Sequence, residues 1–262
     1  MRQLRRAVFV VTAILNNGGI VPDDMRGPYS EHAAPPIYFS RDQSGPRPGV
    51  RFSRQEVFQL SVAILALSAA LTIANYTASR GSVATNQLLL FLGLWFIGSL
   101  VAVSTGVGLH EISHKIVAQR YGHWAEFRYD LRGLGFAFIF AFFGFLIGAP
   151  GATLVSGIVT REQNGKISAA GPVSNLLVGT SFMLAAWAIV RSPALSNPIG
   201  YIVAVVLVSA WYMNVILAGF NMIPFLPFDG SKVWAWNKAA YAGILVLVVG
   251  LYLSGRYLGI TF

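Results

Sequence analysis

Five apolar runs, each about as long as a bilayer is thick, constrain the fold of this chain more than any other feature. They are Val57 to Asn75, Leu88 to Leu109, Ile167 to Val190, Tyr201 to Ile223 and Ala239 to Leu253. A helix needs roughly 20 apolar residues to cross the hydrocarbon. Charged residues make up only 11% of the sequence, against about 25% in soluble domains. The sequence therefore predicts an all-α polytopic membrane protein with about five to six transmembrane helices.

A sixth apolar stretch, Leu134 to Ser156, has a different character. Glycine and proline interrupt it, at Gly144, Gly148, Pro150 and Gly151. β-branched residues follow, and Gln163 to Gly165 has the composition of a hairpin turn. We therefore predict a re-entrant segment that leads into a β-hairpin from Thr153 to Ser168, between the second and third spans. An ordinary sixth span is the alternative.

Two histidines and a glutamate end the second apolar run, at His110, Glu111 and His114. On a helix, residues four apart lie on one face, so both imidazoles can bind one metal ion while Glu111 flanks it. This is the pattern of a zinc peptidase. Because the sequence contains no cysteine, any zinc must be held by nitrogen and oxygen atoms. We predict His110 and His114 as zinc ligands and Glu111 as the catalytic residue.

Catalytic zinc takes three protein ligands, and counting membrane crossings suggests the third. If Arg54 is cytoplasmic, the first span leads outward and the second returns the histidines to the cytoplasmic side. Asp229 reaches that side too, provided that Leu134 to Ser156 does not cross. We therefore predict Asp229 as the third ligand of one zinc ion per chain. Since Asp-Gly is a common turn pair, a plain turn at Asp229-Gly230 is the alternative.

These residues predict peptide hydrolysis. Zinc lowers the pKa of its water to about 7 and polarises the scissile carbonyl, while Glu111 removes the proton and passes it to the leaving amine. The sequence also allows two other classes of function. A metal-ion transporter is expected to spread ionisable groups along a pathway through several spans, whereas here they collect in two places at one depth. A proteolytically inactive scaffold often loses the glutamate, and Glu111 is present.

The net charge of +9 does not indicate a nucleic-acid-binding protein. Basic residues cluster beside the spans, which is typical of topology signals and of contact with anionic lipid. Residues 1–52 have no sustained periodicity and are predicted to be an irregular or disordered extension. Ser53 and Glu56 predict a capping box at the start of the first helix. We expect the membrane-embedded zinc metalloprotease domain to span residues 53–262.

Three segments occur in a fixed order: His110 to His114, Ala170 to Asn175, and Asn221 to Gly230. Together they resemble the signatures of the site-2 protease family of intramembrane zinc metalloproteases, and the resemblance covers residues 53–262. It implies a core of three helices that carries the site, the same three zinc ligands, and Glu111 as acid and base. It also implies membrane-embedded β-structure before the second motif. Phe228 stands where the family usually has leucine, and no PDZ-like or CBS-like insertion is present.

A transmembrane substrate hides its peptide bonds in its own helical hydrogen bonds, so the enzyme must unwind the cleaved segment. We expect an edge strand of the hairpin to pair with that segment. We also expect Asn175 and Asn221 to hydrogen-bond to its backbone, although both amides suit helix packing equally well. The resemblance implies membrane-bound regulators as substrates. We expect a multi-pass protein of the cell membrane, in contact with the lipid bilayer, whose active site faces the cytoplasm.

Overall fold

The computed structural model describes residues 49–79 and 84–260. The predicted irregular extension lies outside the described residues as far as residue 48, and residues 49–53 have no regular secondary structure. The first helix begins at Arg54, where the hydroxyl of Ser53 accepts a hydrogen bond from the backbone N–H of Glu56 at 3.1 Å. This half of the predicted capping box is confirmed. The Glu56 side chain instead accepts hydrogen bonds from Phe127 and Lys115.

Helices dominate the described residues. They are α1 (Arg54–Ala78), α2 (Leu88–Val103), α3 (Leu109–Arg120), α4 (Leu131–Ala141), α5 (Arg161–Val190), α6 (Pro198–Asn221), α7 (Asp229–Trp236) and α8 (Lys238–Tyr257). A π-helical turn, Ser104–Gly108, joins α2 to α3, so that Thr85–Arg120 forms one helical segment of 36 residues. Within residues 49–79 and 84–260, five segments are long and apolar enough to cross a membrane: α1, Thr85–Arg120, α5, α6 and α8. The predicted class, an all-α polytopic membrane protein, is confirmed.

Two strands, β1 (Trp124–Tyr129) and β2 (Gly151–Ser156), form a small antiparallel sheet between the second and third spans. Trp124 lies opposite Ser156, and Tyr129 lies opposite Gly151. One face of the sheet, which includes the buried side chain of Phe127, is turned inward, and the other face is more exposed. The sequence predicts β-structure in this region, but it does not predict β1, because this strand carries charged residues and begins in a region that reads as a polar loop.

The residues between the two strands leave the sheet and return to it at the same end. The N–H of Asp130 donates a hydrogen bond to the carbonyl of Pro150 at 2.9 Å, which closes this excursion. The helix between the two strands, α4, has 11 residues, so it is about 16 Å long at 1.5 Å per residue. This is too short to cross the hydrocarbon layer of a bilayer, which is about 30 Å thick. The stretch from Leu134 to Ser156 therefore does not form a sixth spanning helix, in agreement with the prediction.

The predicted position of the hairpin is wrong. Gln163 to Gly165 is not a turn but lies in the first two turns of α5. Thr160 caps this helix: its hydroxyl accepts from the N–H of Gln163 at 3.2 Å, and the Gln163 side chain accepts from the N–H of Thr160 at 3.0 Å. This reciprocal capping box satisfies two backbone donors and starts a helix where the composition alone suggests a turn. The strand partner of β2 is therefore β1, which precedes it in the chain.

Helix α5 occupies the centre of the fold and packs against α3, α6 and α7. One buried apolar cluster joins α5 and α6 to α7 and α8 and includes Trp211, Val215 and Met222. A second joins α1, the end of α2, the π-helical turn and α4, and includes Leu67, Val103 and Leu134. Helix α3, which carries the two histidines, packs against both α5 and the two strands of the sheet.

Candidate metal centre and its surroundings

Three side chains from distant parts of the sequence meet at one place. His110 and His114 come from α3, and Asp229 begins α7. Atom Oδ2 of Asp229 lies 3.2 Å from Nε2 of His110 and 3.0 Å from Nε2 of His114. All three residues are buried, and their metal-binding atoms lie within 4.8 Å of one another. The structure thus brings together the three residues that the sequence predicts as zinc ligands.

Hydrogen bonds determine which nitrogen of each imidazole carries the proton. Nδ1 of His114 lies 2.7 Å from the carbonyl oxygen of Ile167, which can only accept, so this nitrogen donates. Nδ1 of His110 lies 2.6 Å from Oδ1 of Asn175. The Asn175 amide is oriented by its Nδ2, which donates to the carbonyl of Gly106 at 2.8 Å. Both rings therefore carry a proton on Nδ1 and leave Nε2 to face the carboxylate.

This arrangement suits a metal cation. A neutral imidazole with its proton on Nδ1 presents only a lone pair at Nε2, and an ionised carboxylate presents only acceptors. Such atoms lie this close only when a cation joins them or when the rings take up second protons. Two imidazole nitrogens and one carboxylate oxygen form a donor set of catalytic zinc, which keeps its fourth position for water. The His-His-Asp group is therefore a candidate zinc site.

The carboxyl group of Asp229 is ionised in this environment. Burial disfavours the charge, but when no metal ion is bound, attraction to a protonated His114 and hydrogen bonds from both protonated imidazoles outweigh burial, so the pKa of Asp229 lies well below its usual range. Metal ligands must be deprotonated, and this carboxylate meets that requirement. Its other oxygen, Oδ1, lies 3.6 Å from Nζ of Lys232, three residues further along α7. The lysine charge thus faces the oxygen that points away from the histidines.

A pair of buried amides supports His110 from behind. Nδ2 of Asn175 donates to Oδ1 of Asn214 at 2.9 Å, and Nδ2 of Asn214 lies 3.2 Å from the hydroxyl oxygen of Thr105. Thr105 belongs to the π-helical turn, so the amides join this turn to α5 and α6. Sequence reasoning missed Asn214. A signal was available, since polar residues inside an apolar span are expensive and mark functional positions.

Glu111, the predicted catalytic residue, is held by strand β2. Its Oε2 accepts a hydrogen bond from the backbone N–H of Thr153 at 2.8 Å. The hydroxyl of Thr153 donates to the backbone carbonyl of Glu111 at 3.0 Å. Glu111 is half-buried. The sheet is therefore attached directly to the predicted general base, whose neighbour in the chain is His110.

The two asparagines predicted to bind substrate have different surroundings. Asn175 is fully buried, and both ends of its amide are engaged by protein groups, including His110. Asn221 is half-buried, and its Nδ2 donates to the carbonyl of Leu217 in its own helix at 3.0 Å. Asn175 thus orients His110, a role that the sequence did not predict. Substrate binding by either amide stays a prediction.

Gly171 brings the backbone of α5 close to both histidines. A Cβ atom at this position would lie 2.5 Å from Cε1 of His110 and from Nε2 of His114, closer than non-bonded atoms approach. Any other residue would therefore displace the imidazoles or move α5 away. This explains in physical terms why a glycine occupies this position in the second of the three motifs.

The fold and the site together define a class of protein: a multi-span helical membrane protein with a buried His-His-Asp group next to a glutamate. A protein of Methanocaldococcus jannaschii that is named a putative zinc metalloprotease is 36% identical to this chain over 214 residues. The match covers 81% of this chain and 97% of the relative. The chain therefore belongs to the same family of zinc metalloproteases. No family model and no solved structure matches it.

Proposed function

We propose that this protein is an intramembrane zinc endopeptidase of the site-2 protease type. It hydrolyses peptide bonds within or near transmembrane segments of membrane-bound proteins. The observation that carries the proposal is the convergence of His110, His114 and Asp229 next to Glu111, at the end of a helical segment long enough to span a bilayer. A soluble metallopeptidase needs no such span, and a closed structural zinc site normally has four protein ligands.

Each polar residue has a defined part in this reaction. The two histidines and Asp229 would hold one zinc ion, which would supply a Lewis acid and a water whose pKa is about 7. Glu111 accepts a proton from the attacking water and then donates it to the leaving amine. The N–H of Thr153 holds one oxygen of the Glu111 carboxylate and so restricts the direction in which the other oxygen points.

The two strands differ at their outer edges, and this difference supports β2 as the strand that pairs with substrate. On β1, the N–H groups of Phe127 and Tyr129 donate to Oε1 of Glu56 at 3.0 Å and to Oε1 of Gln59 at 3.2 Å. These side chains cover the outer edge of β1, which hinders a third strand from adding there. On the outer edge of β2, the N–H of Thr153 is bonded to the catalytic glutamate itself, so a substrate strand would pair with the remaining edge positions of β2 and lie next to this residue.

An unwound substrate segment that adds to β2 satisfies its own backbone groups by β-augmentation. The same pairing brings a peptide bond of the substrate next to Glu111, because this residue already contacts the edge of β2. Binding and catalysis are therefore served by one edge of the sheet. This arrangement suits transmembrane proteins of the surrounding bilayer as substrates. The proposed function does not involve binding to nucleic acid.

The same proposal includes a location. We infer a multi-pass protein of the cell membrane whose active site faces the cytoplasmic side. Basic residues near the histidines support this orientation, since Lys115 and Arg120 lie on α3 and Arg128 and Arg132 follow soon after it. Positively charged residues beside spans favour the cytoplasmic side.

The test is cleavage of a single-span reporter peptide by the full chain in liposomes, with zinc content measured on the same samples. Glu111→Gln is expected to retain zinc and to lose cleavage by about 100-fold or more, because general acid–base catalysis contributes 10²–10⁴-fold. The matched control is Glu162→Gln, which changes an exposed glutamate of α5 in the same way. It is expected to cleave at the wild-type rate.

Two results would contradict the proposal. Equal cleavage rates for the wild type and Glu111→Gln would show that Glu111 is not the general base. Zinc transport into the liposomes that survives Glu111→Gln but fails in Asp229→Ala would favour a metal-ion transporter instead.

A further inference from the structure

A completely buried ion pair joins the first helix to the helix that carries the histidines. Glu56 of α1 accepts a hydrogen bond from the ammonium group of Lys115 on α3, and each residue is only 1% exposed. The ammonium group also lies 4.4 Å from the centre of the Phe52 ring. Removing two charges from water is costly, and apolar residues of similar volume often stabilise a protein as well or better. The pair therefore calls for a role other than stability.

The second oxygen of Glu56 connects this ion pair to the sheet. Oε1 accepts the backbone N–H of Phe127 at 3.0 Å, and Phe127 lies opposite Thr153 in the register of β1 and β2. Thr153 in turn donates its N–H to Glu111. The contacts form a closed path that starts at Lys115 and ends at Glu111. Both residues belong to α3 and are separated by one helical turn.

A closed path of this kind fixes the sheet at two points on one helix. A strand that slips by one residue turns every side chain to the opposite face, so the register of β1 against α1 controls which N–H group of β2 faces Glu111. Together with Oε1 of Gln59 at Tyr129, the acceptor oxygen of Glu56 sets that register at Phe127. Lys115 holds this acceptor in place, because a buried carboxylate without a cation would be unpaired.

We propose that Glu56 and Lys115 are positioning residues that hold the β2 edge and the Glu111 carboxylate in their working arrangement. This inference rests on the proposed peptidase function for its catalytic consequence, but its structural part stands separately. Neither residue touches the metal-binding atoms of the His-His-Asp group in the described hydrogen bonds and ion pairs. Zinc binding is therefore expected to be independent of the pair.

Two double variants of the full chain separate positioning from packing. Glu56→Gln with Lys115→Met removes both charges but keeps an acceptor oxygen for Phe127. Glu56→Met with Lys115→Met has nearly the same volume and removes the acceptor as well. Neither variant leaves an isolated buried charge, so both are expected to fold.

Both variants are expected to bind one zinc ion per chain. The variant with methionine at both positions is expected to have a kcat about tenfold below that of the glutamine variant, the usual effect of one hydrogen bond, with KM changed by less than about twofold. The matched control is Glu162→Gln with Lys166→Met, which removes an exposed ion pair of α5 and is expected to leave kcat unchanged.

Amide hydrogen exchange of Phe127 and Thr153 provides a readout that needs no catalysis. Both amides are expected to exchange faster in the variant without the acceptor than in the glutamine variant. Wild-type exchange and wild-type kcat in the variant with methionine at both positions would overturn the inference. If the wild type fails to cleave any reporter, the proposed function fails, and the exchange rates alone then decide whether the pair positions the sheet.

Discussion

Asn175→Ala tests whether the buried amide orients His110 or binds substrate. Asn175 makes three hydrogen bonds, to His110, to the carbonyl of Gly106 and to Asn214. At about 0.6 kcal/mol for a hydrogen bond between membrane helices, their loss lowers the free energy of unfolding by about 2 kcal/mol. Without the acceptor at Nδ1, the ring of His110 is free to carry its proton on Nε2, which then cannot bind a metal ion.

The expected effect on zinc binding is separate from the effect on folding and similar in size. Loss of a group that hydrogen-bonds to a metal ligand typically weakens metal binding by about 10–100-fold, which corresponds to about 1.4–2.7 kcal/mol. The assay is competition for zinc against a chelator of known affinity, with purified protein in detergent. The matched control is Asn164→Ala, which removes an exposed amide from the same helix and is expected to bind zinc like the wild type.

The outcome separates two roles for Asn175. Zinc affinity equal to that of the wild type would refute the argument that the amide fixes the tautomer of His110. If KM for the reporter peptide then rises while zinc binding is unchanged, the sequence-based expectation of a substrate-binding amide is correct instead.

Three further predictions concern the site. Asp229→Asn replaces the ionised ligand by a neutral amide and is expected to lower zinc content at least tenfold by metal analysis, since ligand charge is lost; full occupancy would exclude Asp229 as a ligand. Gly171→Ala places a methyl group 2.5 Å from both imidazoles and is expected to abolish zinc binding, whereas Gly179→Ala on the same helix meets its neighbours at 3.4 Å or more and should bind normally; equal occupancy in the two variants would contradict this packing argument. Thr153→Val keeps the backbone N–H that donates to Glu111 but removes the hydrogen bond made by the hydroxyl. We therefore expect kcat to fall by less than about tenfold. A loss as large as that of Glu111→Gln would refute the assignment of the backbone N–H as the main contact.

The spans and the histidine motif could be read from the sequence because they depend on neighbouring residues. Apolar runs of sufficient length predict spanning helices whatever surrounds them. The spacing of His110 and His114 places both rings on one face of any helix. Even the meeting with Asp229 followed from counting crossings, which needs only the order of the spans and the sides on which they end.

The sheet could not be located in the same way. Whether Gln163 to Gly165 forms a turn or a helix depends on a cap at Thr160, and both outcomes fit the composition. Likewise, Glu56 has the spacing of a capping-box residue, yet its carboxylate bonds to Lys115 and Phe127. A side chain with several acceptable partners selects among them by packing, which local sequence does not describe.

The sequence by itself determined the class of protein, its spans and the residue types of a candidate zinc site. Only the tertiary structure decided which groups orient those residues: the Asn175 amide on His110, 65 residues away, and the Thr153 N–H on Glu111, 42 residues away. The physical reason is the range of the interactions. Hydrophobic length and helical periodicity act between neighbours along the chain, whereas hydrogen bonds between distant segments form only after the helices have packed.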